Sequence, residues 1–284
     1  ILTTSYMYNG GGVAVLDADR DGLPDLYFIS SQESNRLYLN KGDFRFEDIT
    51  EKAGVGAAEG YKTGVTVVDI NADGWDDLYV CRTGLDAVPQ RKNTEKAAAY
   101  GLDDISASNH ANFFDFDLDG DLDMYMLGYP IDFANVNKVS VREVDGKQVR
   151  VNPPTGPLES DQLFRNEGNG KFTNVSGPAG ISDRAFGLSV TVSDFNDDGY
   201  PDIYVAHDYI EPDILYINNR NGTFSNRIDD YLRHQSNHTM GVDIADYNND
   251  GMVDIIALDM IAEDYRSEKL LMSTMSVQPY ETLL

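Results

Sequence analysis

The chain has 284 residues, with 48 Asp and Glu against 22 Lys and Arg, and a formal net charge of −26. That excess excludes a generic nucleic-acid binder, because phosphate neutralisation needs a basic face, and it disfavours docking on an anionic lipid surface. At 41% hydrophobic and 25% charged, the composition is that of a folded protein and not of an acidic disordered tail. A lone cysteine, Cys81, excludes an internal disulfide and reads as a small core residue ending an apolar strand. No run of 18 apolar residues occurs, so no transmembrane segment is expected. The chain opens on Ile1 without a signal peptide. Upstream sequence is therefore expected, and any export signal or lipid anchor would lie there.

In chain order, one nine-residue pattern, D-x-[DN]-x-D-G-x-x-D, occurs five times. Its first copy is Asp17, Asp19, Asp21, Gly22 and Asp25; its second is Asp69, Asn71, Asp73, Gly74 and Asp77. The third is Asp115, Asp117, Asp119, Gly120 and Asp123; the fourth is Asp194, Asn196, Asp198, Gly199 and Asp202. The fifth is Asp246, Asn248, Asp250, Gly251 and Asp254, and the start-to-start spacings are 52, 46, 79 and 52 residues. A repeat of roughly 50 residues suits a four-stranded propeller blade.

The spacing fits cation ligation. Side-chain oxygens at positions 1, 3, 5 and 9 can converge on one ion, and glycine at position 6 makes the sharp turn. The backbone carbonyl at position 7 adds a ligand from Leu23, Trp75, Asp121, Tyr200 or Met252. All-oxygen, carboxylate-rich ligation points to Ca²⁺ before Mg²⁺, so up to five structural calcium ions are expected. An EF-hand would need a bidentate Glu at position 12, where this chain has Phe28, Val80, Met126, Val205 and Ala257. That rival is rejected. The flanks of each loop are short β-branched and aromatic runs, such as Val13-Ala-Val-Leu16 and Leu26-Tyr-Phe-Ile29, which predict strands.

A second pattern follows the first. Leu37-Tyr-Leu-Asn40-Lys-Gly42 recurs as Leu163-Phe-Arg-Asn166-Glu-Gly168 and as Leu215-Tyr-Ile-Asn218 with Gly222. Each predicts strand, tight turn, strand, the outer hairpin of a blade. A whole unit is thus strand A, acidic loop, strand B, loop, strand C, turn, strand D.

These residues resemble the FG-GAP/VCBS repeats of integrin-α-type β-propellers. Phe186-Gly187 matches the name motif. With Ala53-Gly54-Val55 and Ala179-Gly180-Ile181, the chain is similar to the cartilage-acidic-protein-like, ASPIC/UnbV-associated branch. The resemblance implies an all-β propeller over residues 1–258, with blades starting near 10, 62, 110, 186 and 239. A helical segment at 259–284 would lead out of it. Five units against the family's usual seven imply part of a larger propeller. The third repeat departs by placing His110 where the first, second and fifth have Gly12, Gly64 and Gly241, and the fourth has Ser189 there. The second lacks about eleven residues by comparison with the first, which predicts a spatial gap near Asn93 and Thr94.

The resemblance implies a non-enzymatic protein- or glycan-binding module on a bacterial cell surface, and an accessory lipoprotein of an outer-membrane transporter complex. The alternative is a polysaccharide-active enzyme on the same scaffold. No G-x-S-x-G, P-loop or C-x-x-C motif appears, so no catalytic residue is assigned. His234 and His238 lie four apart without the H-E-x-x-H context of a zinc pair. His207, Asp208 and Tyr209 fall on the face opposite the acidic loops and are the candidate ligand-binding group. Residues 128–160 form the longest connection, and the alternation at 139–151 around Asp145-Gly146 predicts a projecting hairpin suited to partner contact.

Overall fold

The computed structural model describes residues 10–57, 60–83, 97–103, 106–130, 140–144, 147–151, 160–183, 185–208, 211–236 and 238–260. Among these, the fold is all-β, built from small antiparallel sheets. The first blade contains β1 (Val13–Leu16), β2 (Asp25–Phe28), β3 (Arg36–Asn40) and β4 (Phe46–Asp48), paired in that order. The second shows β5 (Tyr61–Val68) and β6 (Asp77–Thr83). The third begins with β7 (Ser108–Phe114) and β8 (Asp123–Gly128), is interrupted by β9 (Ser140–Val144) and β10 (Lys147–Val151), and ends with β11 (Gln162–Asn166) and β12 (Phe172–Asn174). The fourth holds β13 (Phe186–Ser193), β14 (Asp202–Asp208), β15 (Ile214–Asn218) and β16 (Phe224–Asn226). The fifth shows β17 (Thr239–Ala245) and β18 (Asp254–Asp259).

The strands form for the reason their sequences suggest. β8, β14 and β15 are buried along their whole length, as near-continuous apolar runs require when neighbours cover both faces. The interruption in the third blade is a hairpin: Lys147 pairs with Val144 and Val151 with Ser140. The expected gap near Asn93 and the helical segment after residue 260 lie outside the described residues.

The first strands of successive blades pack side by side: β1 on β5, β5 on β7, β7 on β13, β13 on β17. Each junction has its own apolar core. Leu16, Tyr27 and Leu37 meet Val65, Val67 and Val80 between blades one and two. Cys81 meets Met124, Met126 and Phe164 between two and three, and burial pushes its thiol up to about 12, leaving it inert. Tyr125, Leu127 and Leu163 meet Ile203, Val205 and Tyr216 between three and four. Tyr204, Leu215 and Ile217 meet Val242 and Ile255 between four and five. Full burial of each large apolar side chain stabilises by about 1.5–3 kcal/mol, so the stacking of blades is the main apolar term.

Short one-turn helices that the sequence did not announce follow the last strand of the complete blades: Thr50–Ala53, Ser176–Ala179 and Ile228–Tyr231. Asp48 and Asn174 accept hydrogen bonds from the backbone and hydroxyl of Thr50 and Ser176. Those hydroxyl oxygens in turn accept the Leu37 and Leu163 N–H groups. Gly54 and Gly180 end two of these turns in the left-handed region, which glycine adopts without a steric penalty.

The recurrent glycine ahead of the acidic loop has a different status in different blades. A methyl on Gly64 would press into the Asn109 carbonyl of the next blade, whereas one on Gly241 would meet nothing. Gly64→Ala is therefore expected to cost about 1–3 kcal/mol through overpacking, and Gly241→Ala to stay within about 0.5 kcal/mol. Thermal melts of the two variants check the contrast; equal effects would contradict this placement of β5 against β7.

Candidate metal loops and an interblade cluster

All five acidic loops adopt one backbone course. Position 4 sits in the left-handed region as Arg20, Ala72, Leu118, Asp197 and Asn249, and so does glycine at position 6. Each non-glycine residue there costs about 1–2 kcal/mol. What holds the course is the aspartate at position 1. Asp17 accepts the N–H groups of Asp21 and Gly22 at 3.1 and 3.0 Å. Asp69, Asp115, Asp194 and Asp246 do the same in their own loops. The aspartate at position 5 then accepts the N–H at position 7, as Asp21 does from Leu23, Asp73 from Trp75, Asp119 from Asp121, Asp198 from Tyr200 and Asp250 from Met252.

The aspartate at position 9 ties each loop to its blade. Asp25, Asp123 and Asp202 have 0% exposure. Asp123 accepts N–H groups from Phe116 at 3.1 Å and Asn166 at 2.7 Å. Asp202 takes Phe195 and Asn218, and Asp25 takes Ala18 and Asn40. The side-chain amides of Asn40, Asn166 and Asn218 donate back to the carbonyls of Pro24, Leu122 and Pro201. The asparagine of the second sequence pattern thus clasps the first. In the fifth blade, Asp254 keeps the bond from Tyr247 N–H.

These carboxylates are costly. Burial raises the Asp123 carboxyl to about 7, with Asp117 and Asp121 adding to it against the pull of its backbone donors. Burial likewise raises Asp202 to about 6, with Asp198 and Asp194 adding. Desolvation and the neighbouring loop aspartates also raise Asp117 and Asp121. A cation among these oxygens would offset the repulsion. Single oxygens of Asp17, Asp19 and Asp25, and of Asp115, Asp117 and Asp123, lie within 4.8 Å of one another. Each set could hold a metal, and the donors are all hard oxygens, as calcium requires. Asn71, Asn196 and Asn248 stand at position 3 of the other loops, where Asn71 and Asn248 accept the position-5 N–H.

On the opposite face, His207 and Asp208 go to different partners. His207 is 1% exposed, its Nδ1 lies 2.7 Å from the Pro212 carbonyl, and its Nε2 lies 3.1 Å from Asp183. Asp208 is also buried and meets His238 Nδ1 at 3.0 Å, while His234 is exposed. Tyr209 lies outside the described residues. Sequence reading missed Asp161 and Asp183, which the fold brings to His207 from the start of β11 and from the link between blades three and four. Asp161 accepts from Tyr125 O–H at 2.5 Å and Gly128 N–H at 2.7 Å. Burial opposes a charge on His207, but Asp183, Asp161 and the Pro212 carbonyl outweigh it and raise the ring to about 9. Burial and then the Asp183 charge raise the Asp161 carboxyl.

The acidic loops and the blades that carry them define a repeat protein of the integrin-like propeller type. The chain belongs to the FG-GAP-like repeat family, whose pattern matches residues 6–80, 155–205 and 194–257. It is similar to mouse cartilage acidic protein 1, 26% identical over 277 residues that cover 86% of this chain and 39% of that protein. It is also 27% identical to human cartilage acidic protein 1 over 274 residues, covering 86% of this chain and 38% of that protein. The chain therefore spans about two fifths of the length of these relatives.

The clasp carries its own test. In a chelating buffer, Asp123→Asn is expected to cost about 1–3 kcal/mol, because an amide nitrogen cannot accept from Phe116 or Asn166. Asp119→Asn keeps an acceptor for Asp121 N–H and is expected to stay within about 0.5 kcal/mol there. Denaturant melts of both variants read the difference.

Proposed function

We propose that the chain is a non-catalytic, calcium-stabilised propeller that presents a protein-binding surface. The observation that carries this reading is the loop itself: the same backbone course occurs five times, and in the first and third loops the carboxylates of positions 1, 3 and 9 converge. Calcium would sit among the oxygens of positions 1, 3, 5 and 9 with the carbonyl of position 7. Five such ions would offset ten of the net negative charges. The role is structural, since the closing aspartate joins the loop to the third strand of its own blade. Filled sites stabilise a fold by mass action, about 4 kcal/mol per independent site at 1,000 times Kd.

Binding, and not catalysis, is favoured because the acid–histidine group outside the loops is enclosed. His207 and Asp161 are buried, and Asp161 is already committed to Tyr125 and Gly128, so neither offers a general acid to a polymer. The hairpin of β9 and β10, between the second and third strands of its blade, is the proposed contact element. We place the protein on an outer cell surface, where extracellular calcium modules work with Kd values of about 10⁻⁴–10⁻³ M. Among the described residues no helix is long and apolar enough to cross a membrane. The family likeness favours a protein ligand over a glycan.

Removal of calcium with excess EGTA is expected to lower the melting temperature by at least several degrees; an unchanged melt would overturn the structural role. Trp75, the chain's one tryptophan, stands at position 7 of the second loop, so Tb³⁺ luminescence excited through it should appear and vanish in Asp69→Asn. Mild purification of the full-length protein from its membrane should retain a stoichiometric protein companion in calcium and lose it when residues 140–151 are replaced by a short turn. A protein that purifies alone and binds only glycan would contradict the partner reading.

A further inference from the structure

We propose that Asp161, Asp183 and His207 form a second kind of metal site, for one divalent transition-metal ion, which clamps blade three to blade four. It is distinct from the acidic loops in place and in chemistry. The loops join strands A and B; this cluster sits at the opposite ends of the strands, where β14 finishes and β11 begins.

The geometry of His207 carries the argument. Its Nδ1 lies 2.7 Å from the Pro212 carbonyl. A carbonyl only accepts, so Nδ1 carries a proton, and Nε2 points away from it as a lone pair in the neutral ring or as a second N–H in the charged one. Nε2 faces a carboxylate: it and Asp183 Oδ2 are 3.1 Å apart. Both atoms are buried, and neither makes a hydrogen bond. At that distance out of water the two atoms need a positive charge between them, which is a proton on the ring when the site is empty and the ion when it is filled. A separation of 3.1 Å is close to that of two neighbouring ligands each about 2.1 Å from one ion, between the octahedral and tetrahedral spacings. An oxygen of Asp161 completes the set, with all three ligand atoms within 4.8 Å of one another.

The surroundings are those of a metal-binding histidine. A ligating imidazole commonly donates its other N–H to a carbonyl or carboxylate, which fixes tautomer and orientation; Pro212 does this here. Ligating carboxylates are themselves hydrogen-bonded, and Tyr125 O–H with Gly128 N–H holds Asp161. The clasp on Asp161 is shared between blades: Asp213 accepts from Tyr204 O–H and His207 N–H, and Asn35 contacts Tyr27 O–H and Ser30 N–H. The clasp alone therefore needs no metal. What sets the third junction apart is Asp183 and the His207 ring, and Asp161 N–H also bonds the Asp183 backbone carbonyl, so the two main chains are tied together there. One imidazole with two carboxylates suits Zn²⁺, Mn²⁺ or Co²⁺ better than Ca²⁺, which prefers oxygen alone.

The test uses the whole chain in saturating calcium, so that the acidic loops are filled, with Co²⁺ as the probe. Equilibrium dialysis should show one Co²⁺ per chain, visible d–d absorption bands, and displacement by Zn²⁺. His207→Asn and Asp183→Asn should each weaken Co²⁺ binding at least tenfold. Near-ultraviolet circular dichroism reports whether each variant is folded, and Asp183, the more accessible of the pair, keeps the test open if His207→Asn fails. No Co²⁺ retained by the parent chain, or equal retention by a folded Asp183→Asn variant, would overturn the site. In that case a proton occupies the gap, and the His207 ring would show an imidazolium signal by NMR. Loss of calcium binding by Asp69→Asn or Asp119→Asn leaves this outcome untouched.

Discussion

A buried carboxylate at the end of an acidic loop is the interaction on which the other features rest. Asp25, Asp123 and Asp202 are fully enclosed, and each accepts one N–H from its own loop and one from the third strand of its blade. The negative charge is thereby committed before any partner or ligand enters the account. It is held against its own desolvation, as the upward displacement of Asp123 and Asp202 shows. Carboxylates gathered this way gain most from a cation, because the attraction acts where water screens it least. The acidity of the chain and the shape of its blades are two consequences of one arrangement.

Much of this was legible in the sequence because the loop has a fixed period. Five aspartate–glycine loops, strands on both sides and three outer hairpins can be read from spacing alone. The asparagine of the hairpin pattern was visible too, though its purpose was not: only strand pairing shows that Asn40, Asn166 and Asn218 meet the closing aspartates. The left-handed residue at position 4 left no mark, since Arg20, Ala72, Leu118, Asp197 and Asn249 share no chemistry. Its conformation is imposed by the aspartate at position 1. The one-turn helices were too short for any periodicity to announce them.

The opposite face was less legible, for a geometric reason. His207 and Asp208 are adjacent in sequence, which suggested one ligand group. Adjacent residues of a strand point to opposite faces, and here they reach Asp183 and His238 respectively. Asp161 comes from another blade and Asp183 from the link between the two, so only the stacking of blades brings them to the histidine. Junctions between blades also explain the glycines. Gly64 is pressed against Asn109, whereas Gly241 occupies the matching place in its repeat without such a neighbour. A motif can thus recur with the same residue while the physical demand on it differs.

The central claim is that each acidic loop exists to enclose a calcium ion. Long-wavelength diffraction from crystals grown in calcium tests it most directly, because anomalous scattering identifies the ion at its position. A peak is expected in every loop, with oxygens of positions 1, 3, 5, 7 and 9 at about 2.3–2.6 Å. Loops that keep the same course with no anomalous peak, under calcium in excess, would contradict it and leave the carboxylates as backbone clasps alone.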